Sequence, residues 1–249
     1  MTKIAKSNSK TIMGLALGAS LIGISSLGSA APAALLDLTE DKRSLSGFDG
    51  VVLKGPIDSV IHVGKSFSVT VEAPDDMIDR VLTEVQGGSL VVKLKKGDYS
   101  WKDYNKIKVY VSLPKMEAYM SAGSGDSAIK GKIDGSKFSV MLKGSGDIDV
   151  ETSTAKKLSL DIKGSGDIKI GGGRCDMISA TIKGSGDITT NAVKCGDGDF
   201  NIMGSGDIRS YANKAASVTI RGSGDVTLYG SPDTLKSRTY GSGEVTTRK

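Results

Sequence analysis

The stretch TIKGSGDITT, residues 181–190, contains a Gly-Ser-Gly-Asp tetrapeptide that recurs almost unchanged through the second half of the chain. Successive copies are separated by 21, 20, 20, 20, 18 and 19 residues. The copies begin at Gly123, Gly144, Gly164, Gly184, Gly204, Gly222 and Gly241. Self-similarity at one period is typical of repeat architectures, so these copies predict a solenoid with about 20 residues per coil.

Apolar and polar residues alternate on both sides of each tetrapeptide. Phe138, Val140 and Leu142 precede one copy, and Ile148 and Val150 follow it. This alternation indicates strands that bury one face, and residues 121–249 contain no window with a helical period. Stacked units of this kind pair as parallel strands, whose crossover connections are right-handed. The sequence therefore predicts an all-β, right-handed parallel β-helix with an irregular N-terminal cap.

The tetrapeptide is interpreted as a corner of each coil. Glycine adopts backbone angles that other residues avoid, and Ser and Asp side chains form hydrogen bonds with nearby backbone groups. Stacking aligns the turn acids of the repeat in one column, formed by Asp126, Asp147, Asp167, Asp187, Asp207, Asp225 and Glu244. A basic column precedes the first glycines, at Lys143, Lys163, Lys183 and Arg221, with Met203 and Tyr240 as the exceptions.

The acidic column has three interpretations. Turn capping, with the basic column neutralising part of the charge, is favoured. Calcium binding is typical of β-rolls with a nine-residue Gly-Gly-x-Gly-x-Asp unit, which this chain lacks. A catalytic cluster needs carboxylates in different environments, and His62, the one histidine, completes no Ser-His-Asp arrangement. No catalytic residue, metal site or cofactor is therefore assigned.

The two cysteines lie one full period apart. Cys175 and Cys195 are separated by 20 residues, and each precedes the first glycine of its copy by nine residues. The two side chains are therefore expected at the same level on neighbouring coils. That separation suits a disulfide, and an exported protein meets an oxidising compartment. The sequence predicts a Cys175–Cys195 bridge, with two stacked free thiols as the alternative.

Residues 1–33 have the composition of a secretory signal peptide. Lys3, Lys6 and Lys10 form a cationic start, an apolar stretch of small residues follows, and cleavage is expected near residue 30 or 33. Removing the three lysines lowers the formal charge from +5 to +2, so a nucleic-acid partner is not indicated. The protein is expected to be exported, to the periplasm or to the cell surface and extracellular space. It meets a membrane only through the transient signal peptide.

Residues 34–120 are interpreted as irregular N-terminal coils and a cap, and residues 121–249 as the regular β-helix. The segment VVLKGPIDSVIHV, residues 51–63, has the pattern of a degenerate coil, and three further segments, SFSVTVEA, SLVVKLKK and KIKVYVSLP, predict strands. The spacing of Met77, Val81 and Val85 predicts a short helix or cap within residues 74–85.

The loop KGDYSWKDYNK is the main exception to the scarcity of aromatic residues. Tyr99, Trp101 and Tyr104 alternate there with lysines and aspartates. These three side chains are candidate ligand contacts, either for stacking on sugars or for contacting a protein. Packing of the same rings against the rod is the alternative.

The ordered segments GFDGVVLKGPIDSVI, TEVQGGSLVVKLKK and KVYVSLPKMEAYMSAGSGD, followed by tandem GSGDI units, resemble the bacterial head GIN domain family. The resemblance covers about residues 44–249. Members of the family are described as autotransporter adhesins. The resemblance therefore implies a β-helix similar to pectin-lyase-like folds, without the catalytic residues of those enzymes, and a role in cell adhesion.

The sequence thus predicts an exported, non-enzymatic β-helical protein, which is an adhesin or a surface or periplasmic binding module. Its expected partners are a carbohydrate or a protein of the cell envelope or surface, and end-to-end pairing of exposed terminal coils would permit self-association. Two alternatives stay open. One is a polysaccharide-active enzyme of the β-helix type, and the other is a structural or calcium-stabilised envelope protein.

Overall fold

The computed structural model of the chain describes residues 3–4, 38–97 and 107–249. The predicted signal peptide, apart from residues 3–4, and the three candidate aromatic contacts lie outside these described residues. The first half of the chain contains β1 (Lys3–Ile4), β2 (Leu38–Lys42), β3 (Gly50–Lys54), β4 (Asp58–Val63), β5 (Ser68–Pro74), a 3-10 helix (Ile78–Arg80), β6 (Val81–Gln86), β7 (Ser89–Leu94), β8 (Lys108–Leu113) and β9 (Ala118–Gly123).

The second half of the described chain consists of strands and the corners between them. The strands are β10 (Ser127–Gly144), β11 (Ile148–Gly164), β12 (Ile168–Ile170), β13 (Gly173–Gly184), β14 (Ile188–Thr189), β15 (Val193–Gly204), β16 (Ile208–Tyr211), β17 (Ala215–Gly222), β18 (Val226–Tyr229), β19 (Thr234–Gly241) and β20 (Val245–Arg248). The long strands β10 and β11 each run from one Gly-Ser-Gly-Asp corner to the next.

From β9 to β18, each strand pairs in parallel with a strand one coil further along. The segments that precede the corners pair in the order β9, β10, β11, β13, β15, β17 and β19. The register places the first glycines of successive corners opposite each other, as in the pairs Gly144–Gly164 and Gly164–Gly184. The predicted parallel β-helix with about 20 residues per coil is therefore confirmed.

The core is a stack of short apolar layers inside the coils. One inward column consists of Leu142, Ile162, Ile182, Ile202 and Ile220, none of which exposes any surface to solvent. Each such side chain contributes about 1.5–3 kcal/mol by its removal from water. At Tyr119 the core is polar instead, because the buried phenol hydroxyl forms hydrogen bonds with Ser59 and Ser127.

The N-terminal coils are stacked in an order that differs from their order in the chain. Strand β3 pairs in parallel with β7 on one side and β9 on the other, and β4 lies in the same way between β8 and β10. The coil of residues 50–63 is thus inserted between the later coils that contain residues 89–113 and 118–130. Its corner, Gly55–Asp58, lies against the first Gly-Ser-Gly-Asp corner.

Antiparallel strands cover this end of the stack. Strand β6 pairs with β7, β5 pairs with β8, β2 pairs with β5, and β1 pairs with β6. The sequence predicts a short helix or cap within residues 74–85, and the helix there is limited to the 3-10 turn Ile78–Arg80. Val81 and Val85 instead lie in β6 opposite Leu94 and Leu90, as part of the antiparallel cover. Among the described residues, no helix is long and apolar enough to span a membrane.

The second glycine of each corner is required by contact between coils. Gly186 is buried, and a Cβ atom at this position would collide with the backbone carbonyl of Gly166 in the preceding coil. Gly172 offers a contrast, because a Cβ atom placed there would meet no other atom within 4 Å.

The substitution Gly186→Ala is expected to lower the free energy of unfolding by about 1–3 kcal/mol, because two backbones must separate to admit the methyl group. Chemical denaturation followed by circular dichroism measures this change. Gly172→Ala is the matched control and should change stability by less than about 0.5 kcal/mol. Equal effects of the two substitutions would contradict the steric explanation.

Candidate binding surface at the repeated corner

Each corner is held to the next by three kinds of hydrogen bond. The Ser185 amide donates to the Gly164 carbonyl oxygen at 2.9 Å, and the Ile168 amide donates to the Asp187 carbonyl oxygen at 2.9 Å. Between these two backbone bonds, the Asp187 amide donates to Oδ1 of the Asp167 side chain at 2.7 Å. The carboxylate therefore serves as the acceptor for an amide at the bend.

The same side-chain bond recurs at every corner of the rod. We call the acceptors the aspartate ladder, and each accepts the amide of the acidic residue in the next coil at 2.7–2.9 Å. The ladder consists of Asp58, Asp126, Asp147, Asp167, Asp187, Asp207 and Asp225, and the last donor is Glu244. Aspartate has the length that lets its carboxylate reach one coil along, so the corner itself selects this residue.

The sequence pattern of residues 51–63 predicts a degenerate coil but does not join Asp58 to the acidic column. The structure makes it the first member of the ladder, because its Oδ1 accepts the Asp126 amide at 2.9 Å. The signal was the alignment of GPID, residues 55–58, with GSGD. A cavity of about 270 Å³ opens beside this end of the ladder, lined by Asp58, Lys108, Asp126, Asp147 and Asp149 among others.

The cation that neutralises the ladder differs from the expected one. Arg209 forms ion pairs with Asp187 at 3.2 Å and with Asp207 at 2.9 Å. Lys143, Lys163 and Lys183 form no ion pair with any of the described residues. These lysines lie before the corner and the aspartates after it, so the rod carries a basic stripe and an acidic stripe on either side of the glycines.

The described residues contain no group of three or more His, Cys, Asp or Glu side chains that is arranged to hold a metal ion. His62 is exposed on strand β4, opposite Ser112 and Lys130 in the neighbouring strands. The corner instead presents one exposed serine per coil, Ser145, Ser165 and Ser185 being examples, between the basic and acidic stripes. Its chemistry is that of a repeated polar contact surface.

The candidate aromatic residues lie in the segment that separates β7 from β8. Register places Lys93 opposite Lys54, and Lys108 opposite Asp58. The described residues at both ends of the segment therefore lie next to the corner Gly55–Asp58. The positions of Tyr99, Trp101 and Tyr104 themselves lie outside the described residues.

Comparison with known proteins agrees with this architecture. The family described as "Putative auto-transporter adhesin, head GIN domain" matches residues 47–232, which is most of the chain. The chain belongs to the head GIN domain family. No curated protein matches it at a significant level.

Solved structures share the fold of this head GIN domain chain at low sequence identity. A "putative adhesin" from Bacteroides fragilis has a TM-score of 0.78 and 19% identity, covering 85% of this chain and 97% of its own. One from Parabacteroides merdae has a TM-score of 0.66 and 18% identity, covering 85% and 96%. A "putative lipid binding protein" from Parabacteroides distasonis has a TM-score of 0.64 and 22% identity, covering 86% and 97%. At these identities the likeness shows the fold alone.

A disulfide ties two coils of the head GIN domain together on the side away from the corner. Cys175 in β13 and Cys195 in β15 are register partners, their Cα atoms lie 4.5 Å apart, and the structure joins them by a disulfide. Both residues are buried. The bridge therefore fixes the register of two adjacent coils independently of the corner.

The ladder predicts different effects for two substitutions of one aspartate. Asp167→Ala removes the acceptor of the Asp187 amide and is expected to lower the free energy of unfolding by up to about 1 kcal/mol. Asp167→Asn keeps an Oδ1 acceptor and removes one of a row of like charges, so stability should stay within about 0.5 kcal/mol of the parent. Denaturant unfolding of both variants provides the test. A larger loss for Asn than for Ala would contradict the hydrogen-bond role.

Removing the disulfide, either by mutation or by chemical reduction, is expected to lower the stability of the protein. Replacing both Cys175 and Cys195 by Ser is expected to lower the free energy of unfolding by about 3 kcal/mol, because the bridge closes a loop of 20 residues. Intact mass under non-reducing conditions reports the bridge itself. The parent protein kept in a reductant is the control, and its free energy of unfolding should equal that of the double variant. Equal stability of reduced and oxidised parent would oppose the prediction.

Proposed function

We propose that the protein is an exported, non-enzymatic β-helical module that binds a carbohydrate or a protein of the cell envelope or surface. The observation that carries the proposal is the repetition of one exposed polar corner along the rod. Each Gly-Ser-Gly corner from residue 123 onward presents an exposed serine, followed in all but the last by an aspartate, and successive corners are about 4.8 Å apart. Family membership supports an adhesive role, because the family description names an adhesin.

Repetition suits binding rather than turnover. Weak contacts of one kind gain strength when many of them engage one extended partner at once. Catalysis by carboxylates instead depends on two groups whose environments differ. In the ladder each Oδ1 accepts the equivalent backbone amide of the next coil, so the carboxylates repeat one structural role.

Retention on immobilised partners tests the proposal. The purified, oxidised chain is passed over polysaccharides, cell-envelope fractions and matrix proteins, each immobilised at several densities. We expect saturable retention on one class, and the apparent affinity should rise with density because neighbouring coils engage neighbouring sites. The same chain after reduction and unfolding is the control and should not be retained.

The alternatives give other outcomes in the same samples. Turnover of a polysaccharide, lost on Asp187→Asn substitution, would contradict the non-enzymatic role and favour a polysaccharide-active enzyme. Absence of retention on every class would contradict the binding role. A gain of thermal stability with Ca²⁺ in that case would favour a calcium-stabilised envelope protein.

A further inference from the structure

We propose that the exposed lysines at 143, 163 and 183 form a docking stripe for an acidic polysaccharide that lies along the rod. The inference rests on the proposed binding function and names the chemical class of its ligand. We call these three residues the lysine stripe.

The lysine stripe is regular because the strand register fixes it. Lys143 pairs with Lys163, and Lys163 pairs with Lys183, in three consecutive coils. Strand spacing separates successive Cα atoms by about 4.8 Å. All three side chains are exposed, and none forms an ion pair or hydrogen bond with another described residue. Three like charges within about one Debye length at physiological salt repel one another, and an anion laid along the row relieves this repulsion.

The surroundings of the stripe favour a ligand that carries hydroxyl groups as well as charge. On one side lie the exposed corner serines Ser145, Ser165 and Ser185. On the other side the outward positions of the sheet carry mostly short side chains, namely Ser139, Ser159, Ser179, Thr181 and Asp161, together with one longer side chain, Met141. The long lysine side chains thus border a surface rich in hydroxyl groups, and an extended sugar polymer has room to contact the lysines and the hydroxyl groups together.

Charge complementarity selects an acidic polymer over a neutral one. Asp161 is the one acid among the outward positions of these three coils beside the stripe, while the aspartate ladder lies beyond the glycines. Lys157 adds a further exposed cation to the same face. An extended polyuronate carries one carboxylate per sugar, so its charges repeat at a spacing of the same order as the coils.

Other polyanions fit the surface less well. Proteins that hold single-stranded nucleic acid stack its bases on aromatic side chains. Surfaces that insert into membranes present a row of large apolar residues. Around the stripe, the described outward residues of the three coils are serines, lysines, Thr181, Asp161, Met141 and Met177. None of these side chains is aromatic, and the two methionines are not register partners, so they form no continuous apolar row. The observations therefore favour a polysaccharide.

Binding to soluble polygalacturonate tests the stripe. The full chain is compared with Lys143→Gln/Lys163→Gln/Lys183→Gln and with a control of equal charge change, Lys130→Gln/Lys156→Gln/Lys169→Gln, whose lysines are exposed elsewhere on the rod. We expect the stripe variant to bind about tenfold more weakly and the control variant to bind within about twofold of the parent. Binding should also weaken when NaCl is raised from about 0.05 to about 0.5 M. Neutral dextran should not bind.

Several results would overturn the inference. These are equal loss in the two triple variants, binding that does not depend on salt, and binding of a single-stranded oligonucleotide or phosphatidylserine vesicles in place of polygalacturonate. Circular dichroism and thermal unfolding establish that both variants remain folded. Stripe-dependent polygalacturonate binding without retention on envelope or matrix partners would uphold the stripe and reject the broader adhesive role. Unchanged retention of the stripe variant on envelope or matrix partners would uphold the broader adhesive role and reject the lysine stripe.

Discussion

The close approach of one corner to the next is the constraint on which the rest of this β-helix depends. Gly186 has no room for a side chain because the Gly166 carbonyl lies against it, and this contact recurs at the other second glycines. At this bend the Asp187 amide forms its hydrogen bond with a side chain, and the Asp167 carboxylate is the acceptor. Strand register, the inward apolar columns and the outward polar columns all follow from this alignment.

Much of the fold could be predicted because the period of the sequence equals the period of the structure. A residue and its equivalent 20 positions later must lie on adjacent coils, and this places Cys175 beside Cys195 and Lys143 beside Lys163 without further information. The N-terminal order could not be predicted in this way. Residues 50–63 lie between two later coils, and no local pattern records which strand edge a later segment will pair with.

Two errors of sequence reasoning have physical causes. Val81 and Val85 have helical spacing, but the edge of β7 gives them a strand to pair with, and tertiary pairing outweighs a weak local preference. Proximity in sequence suggested that Lys143 would neutralise Asp147. The corner directs the two side chains to different faces, and the ion pairs to ladder acids come instead from Arg209, which lies two residues after Asp207 on the same side and pairs with Asp187 and Asp207. In a β-helix, two residues one period apart are therefore more reliably in contact than two residues a few positions apart on opposite sides of a corner.

The choice of aspartate in the ladder follows from a balance of two electrostatic effects. A carboxylate is acceptor-only, so either oxygen of Asp147 can receive the Asp167 amide, whereas the amide group of an asparagine would present a donor in one of its two orientations. A charged acceptor also gives a stronger hydrogen bond. Against this, neighbouring carboxylates repel one another by about 1 kcal/mol in water. Most ladder aspartates are exposed to solvent, and Arg209 pairs with the outer oxygens of Asp187 and Asp207. The repulsion is therefore screened or offset while each inner bond is kept, so aspartate can recur along the ladder without destabilising the rod.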